Sequence, residues 1–165
     1  MASPNAATPG DGSRAPADDP AARAELCHTV GRELMDAGDL VGARPLLEES
    51  VVLSEAAHGS EHANTAIGYS VLGQLLQAMG DYPGAKLRME QGLAIAEKVL
   101  GTKHTQTAVS YNNLGLLLKY MRDYPGAKLR MEQALAIEEK VLGLDHLHTV
   151  KTKKRNELLQ NKIDL

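Results

Sequence analysis

An eleven-residue string, DYPGAKLRMEQ, stands at positions 81 to 91 and again, unchanged, at 123 to 133, an offset of 42 residues. Repetition at a period of this size limits the fold first of all, because each unit is one supersecondary element that buries its apolar face against the next copy. Stepping back by the same interval gives DLVGARPLLEE from Asp39, where Asp, Gly, Ala, a basic residue and Glu keep their places. The register runs without insertions. Gly31, Gly73 and Gly115 align, as do Ala43, Ala85 and Ala127, then Glu55, Glu97 and Glu139, then Gly59, Gly101 and Gly143. The chain is read as three tandem units, of which the first is diverged.

Within one unit, Tyr111, Leu114, Gly115 and Leu118 recur at i, i+3, i+4 and i+7, the apolar stripe of a helix spanning about residues 105 to 121. We call it helix A. Asp123 then offers an N-cap, with Pro125 in the first turn where its missing N–H costs little. Ala127, Met131, Ala134, Leu135, Val141 and Leu142 line a second stripe, helix B, and Gly143 is placed to end it. The same pair fits 63 to 100 and, less cleanly, 22 to 58. Pro45 lies deeper in its helix B than Pro83 or Pro125 do in theirs, and is expected to fray or displace that helix start. Gly73, Gly115, Ala85 and Ala127 fall where paired helices must come close, and are read as packing residues.

Composition agrees with helices. The 165 residues include five Tyr but no Phe and no Trp, so the core is built from Leu, Ala, Val, Ile and Met. A net charge of -3 gives no overall pull toward nucleic acid or an anionic membrane, and no apolar run reaches the roughly 20 residues that span a bilayer. With a single cysteine, Cys27, and no signal-peptide pattern, the expected address is cytoplasmic. Residues 1 to 20, rich in Pro, Ala, Gly, Ser and Asp, hold too little apolar surface to offset ordering and are expected to form a disordered leader.

The order of Tyr111, Leu114, Gly115, Tyr124, Ala127 and Ala134 resembles the tetratricopeptide signature. The common form of that repeat has about 34 residues, whereas NNLGLLL at 112 to 118, AIEEKVLGLDH at 136 to 146 and TVKTK at 149 to 153 are similar to the longer repeats of kinesin light chains. The resemblance covers roughly residues 22 to 160. It implies a protein-binding adaptor or scaffold, with Asn113 at the position of a groove-lining asparagine. Val71 and Thr29 stand there in the other units, so the groove is not uniform. Where those repeats usually carry Pro after the His, Ala63, Thr105 and Leu147 follow it here, which leaves the turn less rigid.

The expected fold is an all-α, right-handed helical-repeat solenoid, with repeats over 21–59, 60–101 and 102–143 and a C-terminal capping helix within 144–165. In the closing helix Lys153, Asn156 and Glu157 replace the buried Tyr, Leu and Gly of helix A, which lets the stack end in water.

No catalytic set is legible. His62, His104 and His146 recur once per unit, but successive repeats lie on the order of 10 Å apart, too far for ligands of one metal, so each is read as a cap at the start of helix A. Cys27 shares the register of Tyr69 and Tyr111 and is read as a small buried hydrophobe. No cofactor is expected.

What remains is the concave surface lined by helix A. The second unit offers Ile67, Ser70, Val71, Gln74 and Ala78 there, and the third Val109, Asn112, Asn113, Leu116 and Tyr120. These side chains either anchor a partner segment or touch neighbouring helices. Lys151, Lys154, Arg155 and Lys162 make the far end basic, either as a solvated charge run or as a receptor for an acidic segment. Two other readings stay open: repeats that self-associate end to end, and a fragment of a larger signalling protein.

Overall fold

The computed structural model describes residues 19 to 163. Seven helices follow in order: α1 (Pro20–Asp36), α2 (Leu40–His58), α3 (Ala63–Ala78), α4 (Tyr82–Val99), α5 (Thr105–Tyr120), α6 (Tyr124–Val141) and α7 (Leu147–Ile163). They form three antiparallel pairs and a closing helix. The expectation for the leader lies outside the described residues except at its last two positions. There Asp19 caps α1 by accepting a hydrogen bond from the Ala21 N–H, and Pro20 opens the helix, so α1 begins two residues before the expected start.

Each helix starts for a reason visible in its repeat. Asp39, Asp81 and Asp123 each accept from the N–H of a glycine three residues on, Gly42, Gly84 and Gly126, all at 2.9 Å. A Cβ on those glycines would lie 2.3 to 2.4 Å from the Asp carboxylate, so the small residue is part of the cap. His62, His104 and His146 cap the A-type helices through Nδ1, which accepts from the N–H two residues later at 3.1, 3.1 and 3.3 Å. The capping role expected for them is the one observed. Gly143, with φ of +94°, follows α6 as anticipated.

Pro45 departs from expectation. It sits inside α2, which neither frays nor shifts: α2 starts at Leu40, in register with Tyr82 and Tyr124. Val41, whose carbonyl lost its partner N–H to the proline, is 78% exposed, so the position lies on the solvent side of the helix, where that loss costs least.

Packing is between neighbours in the chain. Within pairs, α1 lies on α2, α3 on α4 and α5 on α6; α2 on α3, α4 on α5 and α6 on α7 join the pairs into a stack. Leu47, Leu75, Met89, Leu114, Leu117, Met131 and Leu159 are sealed from solvent and belong to one continuous cluster. Burying each such side chain contributes about 1.5 to 3 kcal/mol. The pairs close where small residues were anticipated. A Cβ on Gly73 would stand 2.6 Å from Met89 Cγ, and one on Gly115 2.8 Å from Met131 Cγ, while Ala85 and Ala127 are fully buried opposite them.

A second contact ties each pair to the next. Tyr69 donates to Glu55 Oε1 at 2.7 Å, and Tyr111 donates to Glu97 in the same way. Arg88 and Arg130 lie over the two rings at 5.7 and 5.8 Å. Burial, then the hydrogen bond to Glu97, pushes the Tyr111 hydroxyl up to about 12, and Tyr69 is raised by burial and Glu55. In α7 this ladder stops, because Lys153 occupies the tyrosine position.

Candidate partner-binding groove

The A-type helices α3, α5 and α7 bring their exposed faces to one side of the stack. α5 touches α3 directly. It is joined to α7 by a buried hydrogen bond, in which Asn112 Nδ2 donates to Thr152 Oγ1 at 3.0 Å. These contacts fix the spacing of a concave cavity of about 570 Å³, lined by Gln74, Gln77 and Ala78 of α3, Tyr82 and Met89 of α4, Asn113, Leu116 and Tyr120 of α5, and Arg155 of α7. Gln74, Ala78, Asn113, Leu116, Tyr120 and Arg155, six of the residues picked from the sequence, therefore meet around one space.

The other sequence candidates fall elsewhere. Ser70 and Val71 are buried, at 6% and 5% exposure. The Ser70 hydroxyl lies where a Cβ on Gly92 would stand 2.9 Å from it, so that side chain meets α4, and Val71 belongs to the core cluster. Ile67 lines a separate cavity of about 500 Å³ between α1, α2 and α3, beside His28 and Asn64. Asn112 is also buried; its Oδ1 accepts from Arg155 Nη1 at 3.4 Å, so it aims the guanidinium without itself facing the groove. Lys151, Lys154 and Lys162 are exposed but do not line the cavity, and Val109 is exposed outside it.

Three lining residues escaped the sequence reading. Gln77 lies three positions after Gln74, within reach of the same face. Met89 and Tyr82 come from a B-type helix. Tyr82 reaches the groove by stacking on Tyr120, with ring centroids 6.5 Å apart and planes 16° from parallel. A contact of that kind between different repeats leaves no periodic signal.

Chemically the groove offers two aromatic faces, an aliphatic floor at Leu116 and Met89, amides on Gln74, Gln77 and Asn113 that can donate and accept, and one guanidinium. That set suits an extended or helical peptide with apolar side chains, main-chain hydrogen bonds and an acidic group at the α7 end. Cys27 takes no part: it is half-buried in α1, and burial together with Glu49 raises its thiol above the ordinary value, which keeps it protonated. Among the described residues no helix is long and apolar enough to cross a membrane.

Family profiles described as tetratricopeptide repeat match residues 27–98 and 107–148, together more than half of the chain. Among solved structures, BtubC (BKLC) from P. vanneervenii superposes with a TM-score of 0.79 at 19% identity, over 87% of this chain and 57% of that one. A Podosopora anserina protein assigned as a kinesin light chain with nearly identical TPR-like repeats gives 0.78 at 25% identity, over 86% of this chain and 67% of that one. The apo form of RapI gives 0.78 at 18% identity, over 89% and 52%. BtubC and RapI, below 25% identity, bear on the fold alone. The chain spans little more than half the length of either. No curated protein matches the sequence.

Proposed function

We propose, from the premise that this chain belongs to the tetratricopeptide-repeat family in its kinesin light chain-like class, that it is a non-enzymatic adaptor holding a partner peptide in the concave groove. Family membership supports a protein-interaction module. The finer reading rests on one observation: six of the residues picked from the sequence, Gln74, Ala78, Asn113, Leu116, Tyr120 and Arg155, converge from three helices on a single cavity of about 570 Å³ that no described residue fills. Arg155, aimed by Asn112, with the exposed Lys151 and Lys154 behind it, favours a segment carrying a carboxylate at the α7 end. Leu116 and the stacked Tyr82 and Tyr120 favour an apolar side chain one or two turns away.

The experiment is selection of peptides on the immobilised chain, followed by titration of the winners against wild type, an Asn113/Leu116/Tyr120 triple alanine variant, and Arg155→Ala. The triple variant should weaken binding at least tenfold while staying folded at the assay temperature, although the loss of Leu116 lowers its thermal midpoint, and R155A should selectively weaken acidic peptides. Peptides that bind the triple variant as well as wild type would exclude the groove. End-to-end self-association remains the second reading, and light scattering across concentration separates it from a monomeric adaptor.

A further inference from the structure

Among the positions at which the second and third repeats differ in charge, one away from the groove leaves two cations facing one cavity. In the second repeat Lys98, near the end of α4, donates to Glu61 in the turn before α3, and the two form an exposed ion pair. Forty-two residues on, Lys98 becomes Lys140 of α6 and Glu61 becomes Lys103 in the turn before α5. Where one repeat has an ion pair, the next has two ammonium groups. We propose that Lys103 and Lys140 form a binding site for a phosphoryl group.

Both lysines line a cavity of about 390 Å³ together with Thr102, Tyr111 and Gln133. Among the described residues neither has a carboxylate within ion-pair distance. The carboxylate on the adjoining helix, Glu97, already accepts from the Tyr111 hydroxyl. Arg130 lies over the Tyr111 ring and donates from Nη1 to Gln133 Oε1 at 3.1 Å, which leaves the Gln133 amide N–H groups free as donors. α5 begins two residues after Lys103, so the positive end of its peptide dipoles adds to the field. A carboxylate would neutralise one ammonium and leave the other. A phosphoryl group carries about -1.5 to -2 charge near neutrality, with three acceptor oxygens, and so matches two lysines, an amide and a hydroxyl. This site shares no lining residue with the groove, so its fate is independent of the adaptor reading.

The test is titration of the whole chain with sodium phosphate, and with sodium chloride at matched ionic strength, followed by backbone amide NMR. Phosphate should cause saturable shifts at Thr102, Lys103, Gln133 and Lys140 that chloride does not. Lys103→Glu, which rebuilds the arrangement of the second repeat, should abolish them, and Glu61→Lys should create a second saturable site around Ser60 and Lys98. Equal shifts in chloride, phosphate shifts that persist in K103E, or no new site in E61K would each overturn the assignment. A short phosphothreonine peptide and its unphosphorylated form distinguish the sources. A tenfold advantage of the phosphopeptide over inorganic phosphate points to a phosphorylated protein, and equal affinity points to free phosphate.

Discussion

Arg122 shows how one residue can break a repeat's pattern at a measurable cost. The link from helix A to helix B passes through a left-handed position occupied by Gly38 and Gly80 in the first two repeats, with φ of +87° and +82°. In the third repeat Arg122 holds it at +64°. A side chain there costs about 1 kcal/mol or more relative to glycine. Arg122→Gly should therefore raise the unfolding free energy by about 1 kcal/mol in urea denaturation, less whatever unfolded-state entropy the glycine adds. A neutral or destabilising outcome would mean that the arginine makes a compensating contact. Tyr111 makes a second prediction at this scale. Its hydroxyl is raised from 10.0 to about 12 by burial and by Glu97, so it holds its proton longer folded than unfolded. The stability it contributes is complete below pH 10 and is lost as pH rises through about 12. Tyr111→Phe should cost about 1 to 2 kcal/mol at neutral pH and flatten the alkaline fall in the denaturation midpoint. An unchanged alkaline limb in Y111F would assign that fall to other groups.

At the scale of elements, the helix starts were readable because each is set by a side chain meeting backbone within a few residues. Asp123 with Gly126 and His104 with Gln106 are local pairs, and the 42-residue register transfers them from one repeat to another. The behaviour of Pro45 was not readable, because its cost depends on whether water reaches Val41, which the surrounding helices decide. Helix spacing within a pair is likewise a matter of contact. A Cβ on Gly92 would lie 2.7 Å from the Ala66 carbonyl oxygen, whereas the third repeat carries Ala134 at that position, fully buried. Gly92→Ala should destabilise by about 1 to 3 kcal/mol despite the better helix former, since backbone would have to move. Ala134→Gly should cost about 1 kcal/mol through propensity alone. Paired thermal melts check both, and a stabilising G92A would show that α3 and α4 separate at no cost.

For the whole molecule, contacts run almost entirely between adjacent helices, so stability is a sum of pairs and the junctions joining them. Among the described residues α1 and α7 have a neighbour on one side only, whereas α2 to α6 are flanked on both. Native-state hydrogen exchange should find the amides of α2 to α6 most protected and those of α1 and α7 opening first. Uniform protection across all seven helices would instead make the chain a single cooperative unit. Of the polar substitutions in α7, Lys153 and Glu157 are exposed as a closing helix requires, whereas Asn156 is half-buried, and Leu159 still reaches the core.

Repetition, caps and apolar periodicity determined the helix pairs, their register and the family resemblance from the amino-acid order alone, because each is a relation among residues a few positions or one fixed interval apart. Tertiary structure decided which face of each A-type helix stays open. Ser70 and Val71 lie on the same stretch of α3 as Gln74, yet α4 and the core cover them, and only the crossing of α3 over α4 settles that. Tyr82 entered the groove from a B-type helix whose apolar stripe does not include it, and the Lys103 and Lys140 pocket has no periodic signal although both residues stand in plain register with Glu61 and Lys98. The physical reason is the same in each case. A period says which residues are equivalent, but whether equivalent positions are covered, paired or left facing one another depends on side chains from the next helix.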